Sequence, residues 1–281
     1  MLASGANDAQ LLIWSTTGVV HTQVKQAGPV RALAWSPDGQ RIVSGAANQV
    51  TFLNPLTGTI LAQSTHRHTA AVTGVAWSTE HPLLAVSGSL DKQAIVWNTM
   101  TYGPQTIFTH HTSSIESVSW ASDGQTVASS SHGGVVRVWN AVSGQEVHGY
   151  YFDGQTPLRA AAFAPEGAQL AVGGDDGIVR LWNGSGCLQQ KQSPSGNQCL
   201  DVPAHLRVHT KIVRAAAWSP DARLLATGGD DGLLAIWYPA YRQAPLFTLH
   251  HNAPVQTLAW SPDGRQLAAG SGNTVTLWEP E

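Results

Sequence analysis

Two sets of residues carry the groups of a hydrolytic triad. His68, Ser87 and Asp91 form one, and His209, Thr227 and Asp231 the other. A hydroxyl beside an imidazole, with a carboxylate fixing the imidazole tautomer, activates serine for acyl transfer. Each set is followed by a tryptophan, Trp97 or Trp237, with the hydroxyl ten residues and the carboxylate six residues before the indole. The recurrence speaks against catalysis, because an active site should occur once. No Gly-x-Ser-x-Gly elbow presents either hydroxyl. Histidines also cluster at His66/His68, His110/His111 and His250/His251, but no zinc spacing or phosphate-binding loop accompanies them. The expectation is a chain with no catalytic, cofactor-binding or metal-binding residue, and no cofactor.

The elements that hold these residues repeat. One series of aromatics ends short apolar runs at Trp14, Phe52, Trp97, Trp139, Trp182, Trp237 and Trp278, as in "QLLIW" and "TVTLW". A second series falls between them at Trp35, Trp77, Trp120, Phe163, Trp218 and Trp260, as in "RALAWSPDG" and "QTLAWSPDG". Spacing in both series is 38–45 residues apart from one interval of 55. Each unit reads as four short strands. The first runs into Ser-Pro-Asp-Gly, in which proline presets φ, aspartate bonds nearby backbone and glycine accepts positive φ. A small apolar second strand, a Gly-Asp turn, a third strand ending in Trp and a more polar fourth follow. Strands of this length with turns every 8–12 residues predict an all-β chain. No segment holds a 3.6-residue period long enough for a helix.

A 281-residue chain that is 42% hydrophobic can bury a sizeable core. Only 12% of residues are charged and the net charge is −3, so nothing in the charge balance points to nucleic acid. No stretch reads as a signal peptide or a membrane span, which predicts a cytoplasmic protein.

A four-stranded antiparallel unit repeated about every 43 residues resembles the WD-repeat β-propeller family, and the likeness covers nearly the whole chain. The "AWSPDG" wording is similar to bacterial arrays of that family. The family's Trp-Asp dipeptide is not kept: here Trp97, Trp139 and Trp182 precede Asn98, Asn140 and Asn183. The resemblance implies one domain over 1–281, a seven-bladed β-propeller of four-stranded antiparallel blades. The blades fall near 1–27, 28–66, 67–110, 111–153, 154–208, 209–250 and 251–281. It also gives the polar sets a structural role: histidine, hydroxyl, aspartate and indole form a buried chain that satisfies the indole N–H and stiffens the blade. The third and sixth units keep all four members, so they should be the most tightly held. The first has Ser4, Asp8 and Trp14; the second has Ser44; the fourth has His111, Ser129 and Trp139, with Gly133 in place of aspartate. The fifth has Asp176 and Trp182, and the seventh His251 and Trp278 across a turn one residue shorter.

The first blade is expected to lack its innermost strand and the last blade its outermost, giving about 26 strands. Open edges invite association, so edge-to-edge contacts through the incomplete blades are expected. A fragment of a longer WD-repeat protein explains this count; a whole protein with an imperfect blade is the alternative. The long interval, "GSGCLQQKQSPSGNQCLDVPAHLRVH", should be an enlarged loop around the fourth strand of the fifth blade. Whether Cys187 and Cys199 pair is open.

The resemblance implies a non-catalytic scaffold or sensor that binds protein or peptide on the loop face around the channel, and neither nucleic acid nor membrane. By position, that face takes Arg31, Thr73, Glu116, Arg159, Arg214 and Gln256 from the first strands. Leu90, His132, Asp175 and Asp230 come from the turns. The alternative is a regulatory propeller of a larger signalling enzyme, such as a bacterial serine/threonine kinase with C-terminal WD repeats.

Overall fold

The computed structural model describes residues 1–64, 66–151, 156–166, 169–183, 190–193, 196–199, 204–240 and 244–279. Among them there are strands and turns but no helix, and hence none long and apolar enough to cross a membrane. The chain divides into two compact units, Met1–Ser129 with Trp139–Gln145, and Ser130–Val138 with Glu146–Glu281.

Seven sheets follow in chain order. The first is β1 (Leu2–Gly5), β2 (Gln10–Trp14) and β3 (Val20–Lys25). The second is β4 (Val30–Trp35), β5 (Ile42–Ala46), β6 (Gln49–Leu53) and β7 (Ile60–Gln63). The third is β8 (Val72–Trp77), β9 (Leu84–Ser89), β10 (Ala94–Asn98) and β11 (Pro104–Phe108), and the fourth begins with β12 (Ile115–Trp120), β13 (Thr126–Ser131), β14 (Val135–Asn140) and β15 (Glu146–Tyr151). The fifth uses β16 (Leu158–Phe163), β17 (Gln169–Gly174) and β18 (Ile178–Asn183). The next strands in the chain are β19 (Gln190–Ser193), β20 (Gly196–Cys199) and β21 (Ala204–Arg207), and β21 is the fifth sheet's outer strand. The sixth is β22 (Val213–Trp218), β23 (Leu225–Gly229), β24 (Leu233–Trp237) and β25 (Phe247–His250); the seventh is β26 (Val255–Trp260), β27 (Leu267–Ser271) and β28 (Thr274–Trp278). The first and last sheets have three strands, and the fold class is the seven-bladed β-propeller.

The long interval departs from the loop expected of it. β19 and β20 form a hairpin that joins the outer edge of the fourth sheet, with β20 parallel to β15 at Gly149 and Gln198. The reason is the open edge of β15, whose unpaired backbone groups accept another strand. This hairpin accounts for 28 strands where 26 were expected. Cys187 lies outside the described residues.

The Ser-Pro-Asp-Gly turns close on their own side chains. Ser36 Oγ donates to Asp38 Oδ1 (2.5 Å) and accepts from Arg41 N (2.9 Å), and Gly39 takes φ +66°. Ser219 and Ser261 repeat this with Asp221 and Asp263; Ala222 holds the left-handed position at φ +57°, where alanine is strained.

One aromatic assignment is corrected. β6 pairs Leu53 with Ile42, as β10 pairs Trp97 with Ala85, so Leu53 occupies the indole position. The turn before β6 is one residue shorter than the turn before β10, and a one-residue slip sends every side chain to the opposite face. Phe52 therefore faces the other way and meets Trp77 edge-on, centroids 6.0 Å apart.

Within each unit, sheets dock by glycine sockets. Gly5, Gly45, Gly88, Gly173 and Gly228 each follow the hydroxyl position of a second strand. A Cβ there would come within 2.3–2.6 Å of Val30, Val72, Ile115, Val213 and Val255. Each of these is the first residue of the next sheet's first strand. The first-strand indoles add a stitch: Trp120, Trp218 and Trp260 donate Nε1–H to the carbonyls of Ala76, Ala162 and Ala217 in the preceding sheet, at 3.0–3.2 Å.

Candidate functional site

The polar sets lie inside the sheets. In the third, Trp97 Nε1–H donates to Ser87 Oγ (2.9 Å), which stands 2.8 Å from His68 Nε2; His68 Nδ1 is 2.9 Å from Asp91 Oδ2. In the sixth, the distances are 2.8 Å for Trp237 to Thr227, 2.9 Å for Thr227 to His209 and 3.2 Å for His209 to Asp231. Burial is the main influence on His68 and His209 and pushes both below the ordinary imidazole range, against the pull of Asp91 and Asp231. Neutral rings fix one direction through each chain: indole N–H to hydroxyl, hydroxyl to Nε2, Nδ1–H to carboxylate. Burial alone would raise Asp91. His68 and the amides of Gln93 and Thr69 outweigh it and leave the carboxyl below its ordinary value. Ser87 and Thr227 are 0% exposed and already accept an indole N–H, so neither offers a nucleophile to a substrate.

The other sheets depart from this pattern in ways the register explains. In the first, Trp14 donates to Ser4 (2.7 Å), while Asp8 accepts from Gln10 N. In the second, Gln26 is buried at the histidine position, eighteen residues before Ser44 just as His111 precedes Ser129. That spacing could have found it. Its contact with Ser44 is long, 3.4 Å, and its Nε2 has no partner among the described residues. The fourth keeps His111 and Trp139 on Ser129 (2.7 and 3.1 Å). In the fifth, Val172 stands where a hydroxyl would, and Asp176 pairs with Arg180 instead. In the seventh, Ala269 stands there, and His251 Nε2 and Trp278 Nε1 are buried without a partner among the described residues. Among the described residues no group of three or more His, Cys, Asp or Glu is arranged to hold a metal.

Five of the ten positions read as a partner face share one backbone device. The ladder slips at the second residue of the first strand in five sheets: between Val30 and Ala32, Val72 and Gly74, Leu158 and Ala160, Val213 and Ala215, and Val255 and Thr257. The skipped residues are Arg31, Thr73, Arg159, Arg214 and Gln256. A bulge leaves its extra residue unpaired and re-aims its side chain.

In the first unit Arg31 is exposed, Leu90 is 39% exposed, and Glu116 accepts from Ser114 Oγ. Thr73 turns its hydroxyl inward to the carbonyls of Gly88 and Ile115 (3.1 and 2.7 Å), which docks β8 to β12 rather than offering a contact. In the second unit His132 and Gln256 are exposed. Arg159 and Asp175 form a two-toothed pair at 2.6 and 2.8 Å, and Arg214 and Asp230 another at 2.5 and 2.7 Å. Sequence reasoning placed all four on one face but missed that the aspartates hold the arginines.

Seven successive antiparallel sheets, two of them buttressed by a complete chain of indole, hydroxyl, imidazole and carboxylate, define a repeat propeller. The chain belongs to the WD domain, G-beta repeat family, whose model matches residues 18–52, 60–98, 103–140, 146–183, 198–238 and 243–279. It is similar to the intraflagellar transport protein 80 homolog of Rattus norvegicus, 31% identical over 131 residues, which are 45% of this chain and 16% of that protein. It is also similar to Protein FIZZY-RELATED 2 of Arabidopsis thaliana, 31% identical over 146 residues (50% of this chain, 30% of that protein). The anaphase-promoting complex subunit cdc20 of Dictyostelium discoideum is 32% identical over 148 residues (49% and 29%). The chain thus spans between about a sixth and a third of the length of these relatives, all of them eukaryotic proteins.

Proposed function

We propose that the chain is a non-catalytic propeller that binds protein or peptide partners, as a scaffold or sensor, through the bulge-bearing loop face. The observation that carries this is the pair of Arg–Asp clamps at equivalent bulges of the fifth and sixth sheets. A bidentate guanidinium is oriented at low entropic cost, and rigid arginines are favoured anchors at interfaces. The family and its relatives support the reading: one of them is by name a subunit of the anaphase-promoting complex. A net charge of −3 and few basic residues go with partners other than nucleic acid or membrane, and with a cytoplasmic setting.

The test is capture of partners from an extract of the source cells by Arg159→Ala/Arg214→Ala and by the parent, with thermal melts of both. The expected result is loss of specific partners at an unchanged melt. Equal capture would remove these residues from the interface. A second reading, the propeller region of a larger signalling protein such as a kinase, is favoured by the small share of each relative that the chain spans. The reading frame flanking the gene tests it.

A further inference from the structure

Asparagine in place of the Trp-Asp aspartate has a consequence at the end of the sheets away from the bulges. In the second, third and fourth sheets the turn from third to outer strand opens on Asn54, Asn98 or Asn140, and all three turns lie in the first unit. Asn54 Oδ1 accepts from the amides of Leu56 and Thr57 (2.9 and 3.2 Å). Asn98 Oδ1 does the same for Met100 and Thr101 (2.9 and 3.1 Å), and Asn140 Oδ1 for Val142 and Ser143 (3.0 and 2.9 Å). Each turn thereby holds out an apolar tip: Leu56 is 70% exposed, Met100 67% and Val142 59%. An aspartate would cap the same amides but set a charge beside each tip.

The tips belong to one connected surface. Thr99 N donates to Leu83 O and Ala141 N to Gln125 O (2.8 Å each), which ties each turn to the first-to-second-strand turn of its own sheet. Those latter turns pack on each other, since a Cβ at Gly124 would come within 2.6 Å of Glu80 Cβ. Arg41 of the second sheet donates to Thr99 O (3.3 Å) and lies over Trp77. Leu83 is a further exposed apolar residue of this surface, and Glu80 and Asp123 are exposed on it. No lysine or arginine stands on these turns of the third and fourth sheets.

We propose that this turn face of the first unit is a second docking surface, for a basic amphipathic helix of a protein partner. The apolar tips receive the apolar stripe of the helix, and Glu80 and Asp123 meet its lysines or arginines. Two features select this occupant. The first is charge: the face is apolar and acidic, so it complements a cationic segment and repels an acidic one. The second is that the turns spend their own backbone. Asn54, Asn98 and Asn140 N donate to Thr59, Gly103 and Gln145 O, and Gly58, Tyr102 and Gly144 N donate back to the asparagine carbonyls. A segment arriving as a strand finds those main-chain groups taken, whereas a helix brings its backbone bonds already made. An exposed methionine among the tips adapts to the shape it meets.

The probe is a fluorescein-labelled peptide of about 18 residues, leucine along one helical face and lysine elsewhere, followed by polarisation against the whole protein. Saturable binding that weakens with salt is expected. Glutamate in place of the peptide's lysines, or the same composition rearranged into strict alternation, should weaken it at least about tenfold. Met100→Ser/Val142→Ser and Glu80→Gln/Asp123→Asn should each weaken it similarly at an unchanged melt, because the tips are exposed and an asparagine still accepts from Thr126 N. Leu246→Ser, which removes an exposed apolar residue of the second unit, should leave it unchanged. Absence of saturable binding overturns the proposal, as does equal affinity in Met100→Ser/Val142→Ser or an equal loss in Leu246→Ser. So does a concentration-dependent dimer that Met100→Lys dissolves, since the face would then belong to a second copy.

Discussion

Replacing Ala269 with serine should make the protein more stable, against the usual outcome for a polar residue in a fully buried position. The register of β27 and β28 sets Ala269 opposite Thr276, as Ser87 is set opposite Ile95 and Thr227 opposite Ala235. A serine Oγ there would accept from Trp278 Nε1–H and donate to His251 Nε2, two atoms of this sheet that are buried without partners among the described residues. A buried polar group without a partner costs about 1–3 kcal/mol, and a typical intramolecular hydrogen bond returns about 0.5–1.5 kcal/mol net. Two bonds gained, less the desolvation of one hydroxyl, give about 1–2 kcal/mol. That raises Tm by roughly 2–3 °C for a domain of this size. Calorimetry of parent and variant reads it directly. Ala269→Ser in a Trp278→Phe background should lose about half the gain, because one of the two bonds is then missing. A folded Ala269→Ser protein that melts at or below the parent temperature refutes the inference that the shared hydroxyl joins indole to imidazole.

Two further outcomes follow from the same geometry. His68 and His209 have folded values lowered by burial, so the unfolded chain takes up their protons first as pH falls below 6.5. Stability is therefore full above 6.5 and declines on acidification, with Asp91 and Asp231 adding a further loss only as pH falls through their folded values, below 3.8. Urea midpoints at pH 8 and pH 5 should differ less in His68→Gln/His209→Gln than in the parent; an unchanged difference counts against the neutral-ring assignment. Gly88→Val should cost roughly 1–3 kcal/mol or more, as overpacking does, because its Cβ would lie 2.6 Å from Ile115 Cγ2. A melt equal to the parent's would mean that the socket is not a tight contact.

The all-β class and the two complete polar chains were legible because their spacing is rigid: ten and six residues are dictated by strand length and a four-residue turn. Phe52 was misread because it is the aromatic of its apolar run, while the shorter turn sets Leu53 at the indole position. Gln26 kept the histidine spacing but not the residue type. The hairpin of β19 and β20 was illegible because "QKQS" and "GNQC" lack the alternation that marks a half-buried strand. The partner-face positions could be counted along the chain, yet not the bulges that aim them, since a bulge is a property of two paired strands.

The glycine sockets bear on how such a chain can change. The second sheet has lost its imidazole and the fifth both imidazole and hydroxyl, yet Gly45 and Gly173 still receive a valine from the neighbour. Fit between successive repeats is thus kept where mortar inside a repeat has worn away. A repeat could be copied or exchanged along the array whatever its internal chemistry, provided it carries a small residue at the socket and a branched one at the head of its leading strand.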